Sequence, residues 1–149
     1  MKKFRFTLDR MKGYQEQILE EEKNTLGRLN HTRQQIELKI HSLEEDFRRI
    51  SRELLREEEA GIQGAALRGY HLQLENIRQQ LKQLAQELAQ AQQAVDDQMD
   101  VVLRASQEVS KLDKLEERQL EEYKKGVAKE EELFIEELVS SKSVREQLA

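Results

Sequence analysis

The sequence predicts an all-α protein in which two long helices form an antiparallel coiled-coil hairpin, with the second helix longer than the first. Three observations predict this fold. The 149 residues include no proline, so nothing in the chain forces a long helix to break. Apolar residues recur along two separate stretches at a spacing of about 3.5, which is typical of helices that supercoil around each other. Three of the six glycines fall close together between these stretches, where the chain is expected to turn.

The first apolar stretch predicts a helix over about residues 7–59. Alternate steps of three and four residues pass through nine positions, of which eight are apolar. These positions are Leu26, Leu29, Arg33, Ile36, Ile40, Leu43, Phe47, Ile50 and Leu54. Towards the amino terminus the path continues through Leu8, Met11, Gln15, Ile18 and Glu22. The two steps of four residues that join Ile18, Glu22 and Leu26 predict a stutter, an insertion that locally relaxes the supercoil.

The glycine cluster predicts a turn over about residues 60–66. Gly61, Gly64 and Gly69 lie between the two apolar stretches. Each glycine lowers helix propensity by about 1 kcal/mol and permits positive φ. No other part of the sequence contains such a cluster.

The second apolar stretch predicts a helix over about residues 67–141, within a single coiled-coil domain that spans residues 1–149. Thirteen of its fourteen heptad positions are apolar. They are Leu67, Tyr70, Leu74, Ile77, Leu81, Leu84, Leu88, Ala91, Val95, Gln98, Val102, Ala105, Val109 and Leu112. Each stripe is expected to cover the other, which neither helix could do alone.

The difference in helix length leaves the end of the second helix without a partner. A turn centred near residue 62 places Phe47 beside residue 78 and Leu8 beside residue 117. The last twenty or so residues are then expected to extend past the first helix, although an apolar stripe continues to Phe134 and Leu138. Because apolar surface left in water is unfavourable, we expect this end to bind another protein. A frayed tail and a self-association patch are the alternatives.

The composition excludes several classes of site. Without cysteine, the chain has no disulfide, thiolate metal site or thiol nucleophile. The glycine cluster lacks the Lys-Ser/Thr pair of a phosphate-binding loop, and His31 and His41 are too far apart on one helix to share a metal ion. A two-stranded coil also offers no concave pocket for catalysis. We therefore expect no catalytic, cofactor-binding or metal-binding residues, and a function in binding, levering or spacing.

Charge and hydropathy exclude further partners. The net charge of −5 argues against nucleic acid, because neutralising phosphates needs a surplus of Lys and Arg. The longest apolar runs span only a few residues, far short of the ~20 that a membrane span needs. The basic start of the chain leads into no apolar block, so we expect no secretory signal and a soluble, cytoplasmic protein.

Several short motifs give the chain a resemblance to a known family. A basic segment containing Phe4, Phe6 and Leu8 opens the chain, and a long helix precedes the glycine-containing turn and the motif Tyr70-x-x-x-Leu74. The last part of the chain carries Lys111-Leu112-x-Lys114-Leu115-Glu116, then Glu121-Glu122-Tyr123-Lys124, then Glu136-Glu137-Leu138. In order and spacing these motifs resemble the flagellar type III export protein FliJ, over essentially the whole chain.

The resemblance implies a non-enzymatic role in flagellar protein export. Proteins of that family are antiparallel coiled coils similar to the central stalk of rotary ATPases. They bind the export ATPase ring, promote its assembly and activity, couple it to the export gate and escort export chaperones. By position, the ATPase-binding residues, here called the ATPase set, would be Phe4, Phe6, Leu8, Met11, Leu120, Tyr123, Val127 and Leu138. The export-gate-binding residues, here called the gate set, would be Ile40, Leu43, Phe47, Tyr70, Leu74 and Ile77.

The same residues admit other interpretations. The gate set falls on the heptad stripes, so packing between the two helices also accounts for it. A structural coiled coil that forms a homodimeric rod and a holdase chaperone whose free end grips unfolded clients are the alternative functions. The stalk hypothesis instead predicts a monomer in isolation, held at the cytoplasmic membrane of the flagellar base only through protein contacts.

Overall fold

The computed structural model describes residues 2–148 and consists of two α-helices, α1 (Asp9–Ala60) and α2 (Gly64–Leu148). The helices pack against each other, and the second is the longer. As residue numbers rise along α1 from Glu22 to Phe47, their contacts on α2 fall from Gln98 to Arg78, so the helices run antiparallel. No strand occurs between residues 2 and 148. The predicted all-α hairpin is confirmed.

The first helix begins at Asp9, slightly later than the predicted start near residue 7. Residues 2–6 have no regular secondary structure, and Thr7 and Leu8 form a turn. The Asp9 N–H donates to the carbonyl oxygen of Phe6 at 3.2 Å. A carboxylate in the first turn interacts favourably with the helix dipole, which favours a start at Asp9.

The turn occupies residues 61–63, which is shorter than the predicted 60–66. Gly61 has φ +89°, and its N–H donates to the carbonyl oxygen of Glu58 at 3.3 Å. A glycine with positive φ is the common way to end a helix. Gly64 is already the first residue of α2, and Gly69 lies inside that helix. One residue with positive φ is therefore enough to reverse the chain.

The second helix ends at Leu148, beyond the predicted end near residue 141. The sequence after Gly126 contains neither glycine nor proline, so no strong helix breaker follows. Arg145 lies in the last turn, where a cation interacts favourably with the carboxyl end of the helix dipole. The serines that follow Val139 do not interrupt the helix.

Residues 21–103 form the first of two compact units, which we call the turn unit. Its predicted heptad positions are all buried or half-buried. The most buried apolar side chains are Ile36, Leu54, Leu74, Ile77 and Val95. The guanidinium carbon of Arg78 lies 5.2 Å from the centre of the Phe47 ring, which confirms the predicted placement of Phe47 beside residue 78.

Residues 2–20 and 104–148 form the second unit, which we call the terminal unit. Its buried apolar side chains are those of Phe6, Ala105 and Leu112. The predicted heptad position of Met11 is wrong, because Met11 is 51% exposed while the side chain of Lys12 is 22% exposed. Lys12 therefore occupies the position between the helices that the heptad path assigned to Met11.

This correction also removes the need for a stutter near Glu22. The buried or half-buried residues of the first part of the chain include Leu8 and, within α1, Lys12, Gln15, Leu19, Glu22 and Leu26. Steps of four and three residues alternate regularly along this path, and they continue in phase through the predicted positions beyond Leu26. Ile18 is half-buried as well. The sequence path went through Ile18 and Met11 because both are apolar, whereas burial follows the unbroken heptad.

Candidate functional site

The amino-terminal segment, residues 2–8, lies against α2 in the terminal unit. Tyr123 donates its hydroxyl hydrogen to the carbonyl oxygen of Lys2 at 2.6 Å. The rings of Phe4 and Tyr123 are 5.5 Å apart with planes inclined by 50°, a tilted arrangement that aromatic pairs favour. Phe6 is 8% exposed. Aromatic packing and one hydrogen bond therefore hold this non-helical segment in place.

An ion-pair cluster joins α1 to α2 in the same unit. The Nζ atom of Lys12 lies 2.7 Å from Oε2 of Glu116 and 2.9 Å from Oδ1 of Asp113. It is also 3.9 Å from Oε1 of Glu16, one turn along α1. The hydrogen bond that Lys12 donates to Glu116, and then the one that it donates to Asp113, raises the pKa of Lys12 above its ordinary value. The cluster stabilises the charged form of Lys12 and joins the two helices in the terminal unit.

Residues 128–148 of α2, here called the overhang, are exposed throughout. Seven large apolar side chains of the overhang are between 49% and 83% exposed. They are Leu133, Phe134, Ile135, Leu138, Val139, Val144 and Leu148. Exposed large apolar side chains in this number are characteristic of interaction sites. The overhang is therefore the strongest candidate for a binding surface in the terminal unit.

All eight residues of the ATPase set lie in the terminal unit, and their exposure differs widely. Phe6 is buried. Phe4, Leu8, Leu120, Tyr123 and Val127 are half-buried. Met11 and Leu138 are 51% and 55% exposed. Of the eight predicted residues, these last two are the most accessible to a partner.

The structure places the gate set between the helices of the turn unit. Leu74 and Ile77 are 5% and 7% exposed, so packing accounts for both side chains. Ile40, Leu43, Phe47 and Tyr70 are half-buried. A shallow hollow of about 220 Å³ opens beside this set. It is lined by Glu44, Phe47, Arg48 and Leu81.

Sequence reasoning missed two features of the terminal unit. Ile135 and Val139 extend the exposed apolar surface of the overhang, but both lie off the heptad path that led to Phe134 and Leu138. The available signal was their spacing of four residues, which equals the spacing of the neighbouring Phe134 and Leu138. The Lys12 cluster could not be predicted from the heptad pattern, because that pattern was traced through apolar residues.

None of the helical sequence within residues 2–148 has the length and hydropathy of a membrane span. The described part of the chain contains no group of three or more His, Cys, Asp or Glu side chains placed to hold a metal ion.

Comparison with known proteins identifies the family. The family model described as the flagellar FliJ protein matches residues 4–148. Neither a comparison with curated protein sequences nor one with solved structures gave a match. The matched region includes both helices, the ATPase set and the gate set. FliJ proteins are components of the flagellar protein export apparatus. The chain therefore belongs to the FliJ family.

Proposed function

We propose that this protein is a stalk-like, non-enzymatic component that binds the ring of the flagellar export ATPase through its terminal unit. The exposed overhang is the observation that carries the proposal. It offers apolar side chains such as Phe134 and Leu138 to a partner, on a helix that remains continuous with the packed part of α2. Binding there would promote assembly and activity of the ring.

The contacts at the open end of the hairpin support this function. A stalk needs an end that engages the ring and a base that does not open under load. Lys12 joins α1 to Glu116 and Asp113 of α2, and Tyr123 holds the amino-terminal segment. Charged, polar and aromatic contacts therefore stabilise the part of the terminal unit that precedes the overhang.

Removal of residues 128–149 tests the proposal. Because residues 128–148 are exposed, we expect the shortened chain to unfold at the same temperature as the full chain. Its remaining residues, up to 127, should keep their helical structure. It should lose both capture of the ATPase in a pull-down assay and stimulation of ATP hydrolysis at substoichiometric amounts. Full stimulation by the shortened chain would contradict the proposal.

Point variants separate the apolar surface from overhang length. Phe134→Ser and Leu138→Ser should each weaken ATPase capture, because they remove exposed apolar side chains of the overhang. Leu72→Ser is the control, since Leu72 is 73% exposed in the turn unit. Equal losses from all three variants would indicate a nonspecific effect of surface hydropathy.

We also propose that the half-buried members of the gate set contact the export gate. The buried side chains of Leu74 and Ile77 would instead stabilise the packing between the helices. The hollow beside Phe47 and Leu81 is the supporting observation, because it could receive an apolar side chain of the partner. Glu44 and Arg48 form its rim and are exposed, so both can be changed without disturbing helix packing.

A rim variant tests the gate contact. Arg48→Ala should reduce gate capture while leaving ATPase stimulation and thermal stability unchanged. Arg56→Ala is the control, since Arg56 lies on the same helix but outside this hollow. Unchanged capture by Arg48→Ala, or an equal loss with Arg56→Ala, would argue against the hollow as the gate contact.

A holdase function is the second candidate, because the exposed overhang would also suit an unfolded client. Suppression of aggregation of an unrelated denatured protein, lost on removal of residues 128–149, would favour it. The stalk function requires the ATPase response instead.

We also propose that the protein lies in the cytoplasm and reaches the membrane only through protein contacts. Export chaperones could bind it there.

A further inference from the structure

One face of the overhang carries a symmetric apolar pattern. Phe134, Ile135, Leu138 and Val139 are between 55% and 62% exposed. Residues four apart lie above one another on a helix, so the two pairs form one continuous surface. No other side chain of the described residues covers this surface, because residues 128–148 are exposed throughout.

Opposite charges stand at the two ends of this face. Glu131 precedes Ile135 by four residues, and Lys142 follows Leu138 by four. Both therefore lie on the same face as the apolar residues. Neither forms an ion pair within residues 2–148. From either end, the order along this face is one charged residue, four apolar residues, and one residue of the opposite charge.

We propose that this face binds the same face of a second copy of the chain, with the two overhangs antiparallel about a twofold axis between residues 136 and 137. That axis places Glu131 beside Lys142 of the second copy, and Ile135 beside its Leu138. Phe134 then lies beside Val139 of the second copy. A twofold contact uses one patch twice and therefore closes as a dimer. A parallel arrangement would instead bring like charges together.

The two glutamates closest to the axis do not oppose the antiparallel pairing. Glu136 and Glu137 lie next to the axis, where like charges from the two copies would meet. At ~100° per residue, each lies about 130° from the centre of the apolar face and points away from the contact.

The contact is short, so association should be weak. It involves about three helical turns from each copy, and we estimate less than ~1,200 Å² of total buried surface, the range of transient complexes. The chain would therefore be monomeric when dilute and dimeric when concentrated. Dimerisation would cover Leu138 and so compete with ATPase binding. Only this last consequence rests on the proposed function.

Charge reversal in the full chain tests the pairing by sedimentation equilibrium over a wide concentration range. We expect a reversible dimer for the unchanged chain. Glu131→Lys and Lys142→Glu should each weaken the dimer by about tenfold or more, because each places like charges opposite each other. Glu136→Lys and Lys129→Glu make the same changes in charge on the far side of the helix. They should leave the dimer unchanged.

Mixing the two disruptive variants gives the decisive result. An equimolar mixture of Glu131→Lys and Lys142→Glu should form a heterodimer, since it has two ion pairs, one with the original polarity and one with the reversed polarity. The double variant Glu131→Lys/Lys142→Glu should again form a homodimer. A monomer at every concentration, or a mixture no more associated than its components, would overturn the proposal.

The outcomes also separate this proposal from the stalk function. A chain that stays monomeric yet stimulates the ATPase would overturn the dimer and keep the stalk. A chain that dimerises through this face but never binds the ATPase would support the dimer and overturn the stalk.

Discussion

Gln98 and Glu22 meet between the helices of the turn unit, where both apolar stripes are interrupted by a polar residue. The Nε2 atom of Gln98 donates to the backbone carbonyl oxygen of Glu22 at 3.0 Å and to its Oε2 atom at 2.5 Å. Both residues are half-buried. A polar group removed from water without a partner is costly. Because most positions of both stripes are apolar, most other pairings of the helices would place these two groups beside apolar side chains. The pair therefore favours the observed register.

Replacing only one member of this pair should destabilise the hairpin. Gln98→Leu leaves the Glu22 carboxylate beside apolar side chains, and we expect a loss of about 1–3 kcal/mol in the free energy of unfolding. The double variant Glu22→Leu/Gln98→Leu removes both polar groups and should recover most of that loss. Urea unfolding followed by circular dichroism measures all three chains. Additive losses in the double variant would show that the two residues do not act together.

Packing in the gate set can be separated from partner binding with two neighbouring leucines. Leu74 is 5% exposed, whereas Leu72 is 73% exposed. We expect Leu74→Ala to lower the free energy of unfolding by about 2–5 kcal/mol, because it leaves a cavity between the helices. Leu72→Ala should change it by less than ~0.5 kcal/mol, as is usual at the surface. Urea unfolding provides the comparison, and similar losses in the two variants would mean that Leu74 is not in the packed interface.

The Lys12 cluster predicts a loss of stability at high pH. The folded protein raises the pKa of Lys12, so the folded state holds this proton more tightly than the unfolded state. The contribution of Lys12 is therefore complete below ~10.4, the ordinary lysine pKa, and is lost as pH rises through the folded pKa. The difference in melting temperature between the unchanged chain and Lys12→Met should shrink above that pH.

Lys39 provides the control for the pH experiment. It lies on the same helix, is exposed, and has no ion pair among the described residues. Lys39→Met should give the same difference from the unchanged chain at every pH tested. If Lys12→Met behaves like Lys39→Met, the ion-pair cluster does not stabilise the fold.

The heptad repeat made the hairpin predictable. Apolar residues did not mark the repeat correctly at positions where a polar residue is buried. Lys12 occupies the position expected for Met11, because two carboxylates of α2 can pair with its ammonium group. A search for apolar residues cannot detect a position that is filled by a charge. The same limitation produced the apparent stutter near Glu22, a residue whose partner Gln98 is also polar.

The ends of the chain were harder to predict for different reasons. Burial of Phe6 depends on an irregular segment folded against a distant part of α2, and such a segment has no periodicity to read. The end of α2 was placed too early because the apolar stripe ends near Leu138. Helix formation continues without such a stripe when no breaker intervenes. For the sites, the resemblance to the family implied the ATPase set and the gate set, and these sets stay predictions. The sequence could not reveal which of their members are accessible.

The contact between Tyr123 and the amino-terminal segment makes a prediction about local opening. Tyr123→Phe removes the hydroxyl that donates to the Lys2 carbonyl oxygen but keeps the ring that packs on Phe4. We expect the segment to open more readily by ~0.5–1.5 kcal/mol. Trypsin cleavage after Arg5 should then be several-fold faster, because about 1 kcal/mol corresponds to roughly a fivefold change in the open population. Global unfolding in urea should be unchanged.

Two further variants complete this experiment. Tyr123→Leu removes the aromatic contact as well and should increase the cleavage rate more than Tyr123→Phe does. Tyr14→Phe is the control, because Tyr14 is 63% exposed and lies on α1 outside these contacts. If Tyr123→Phe and Tyr14→Phe are cleaved at the same rate, the hydrogen bond does not restrain the segment. In that case aromatic packing alone would keep Phe4 and Phe6 against α2.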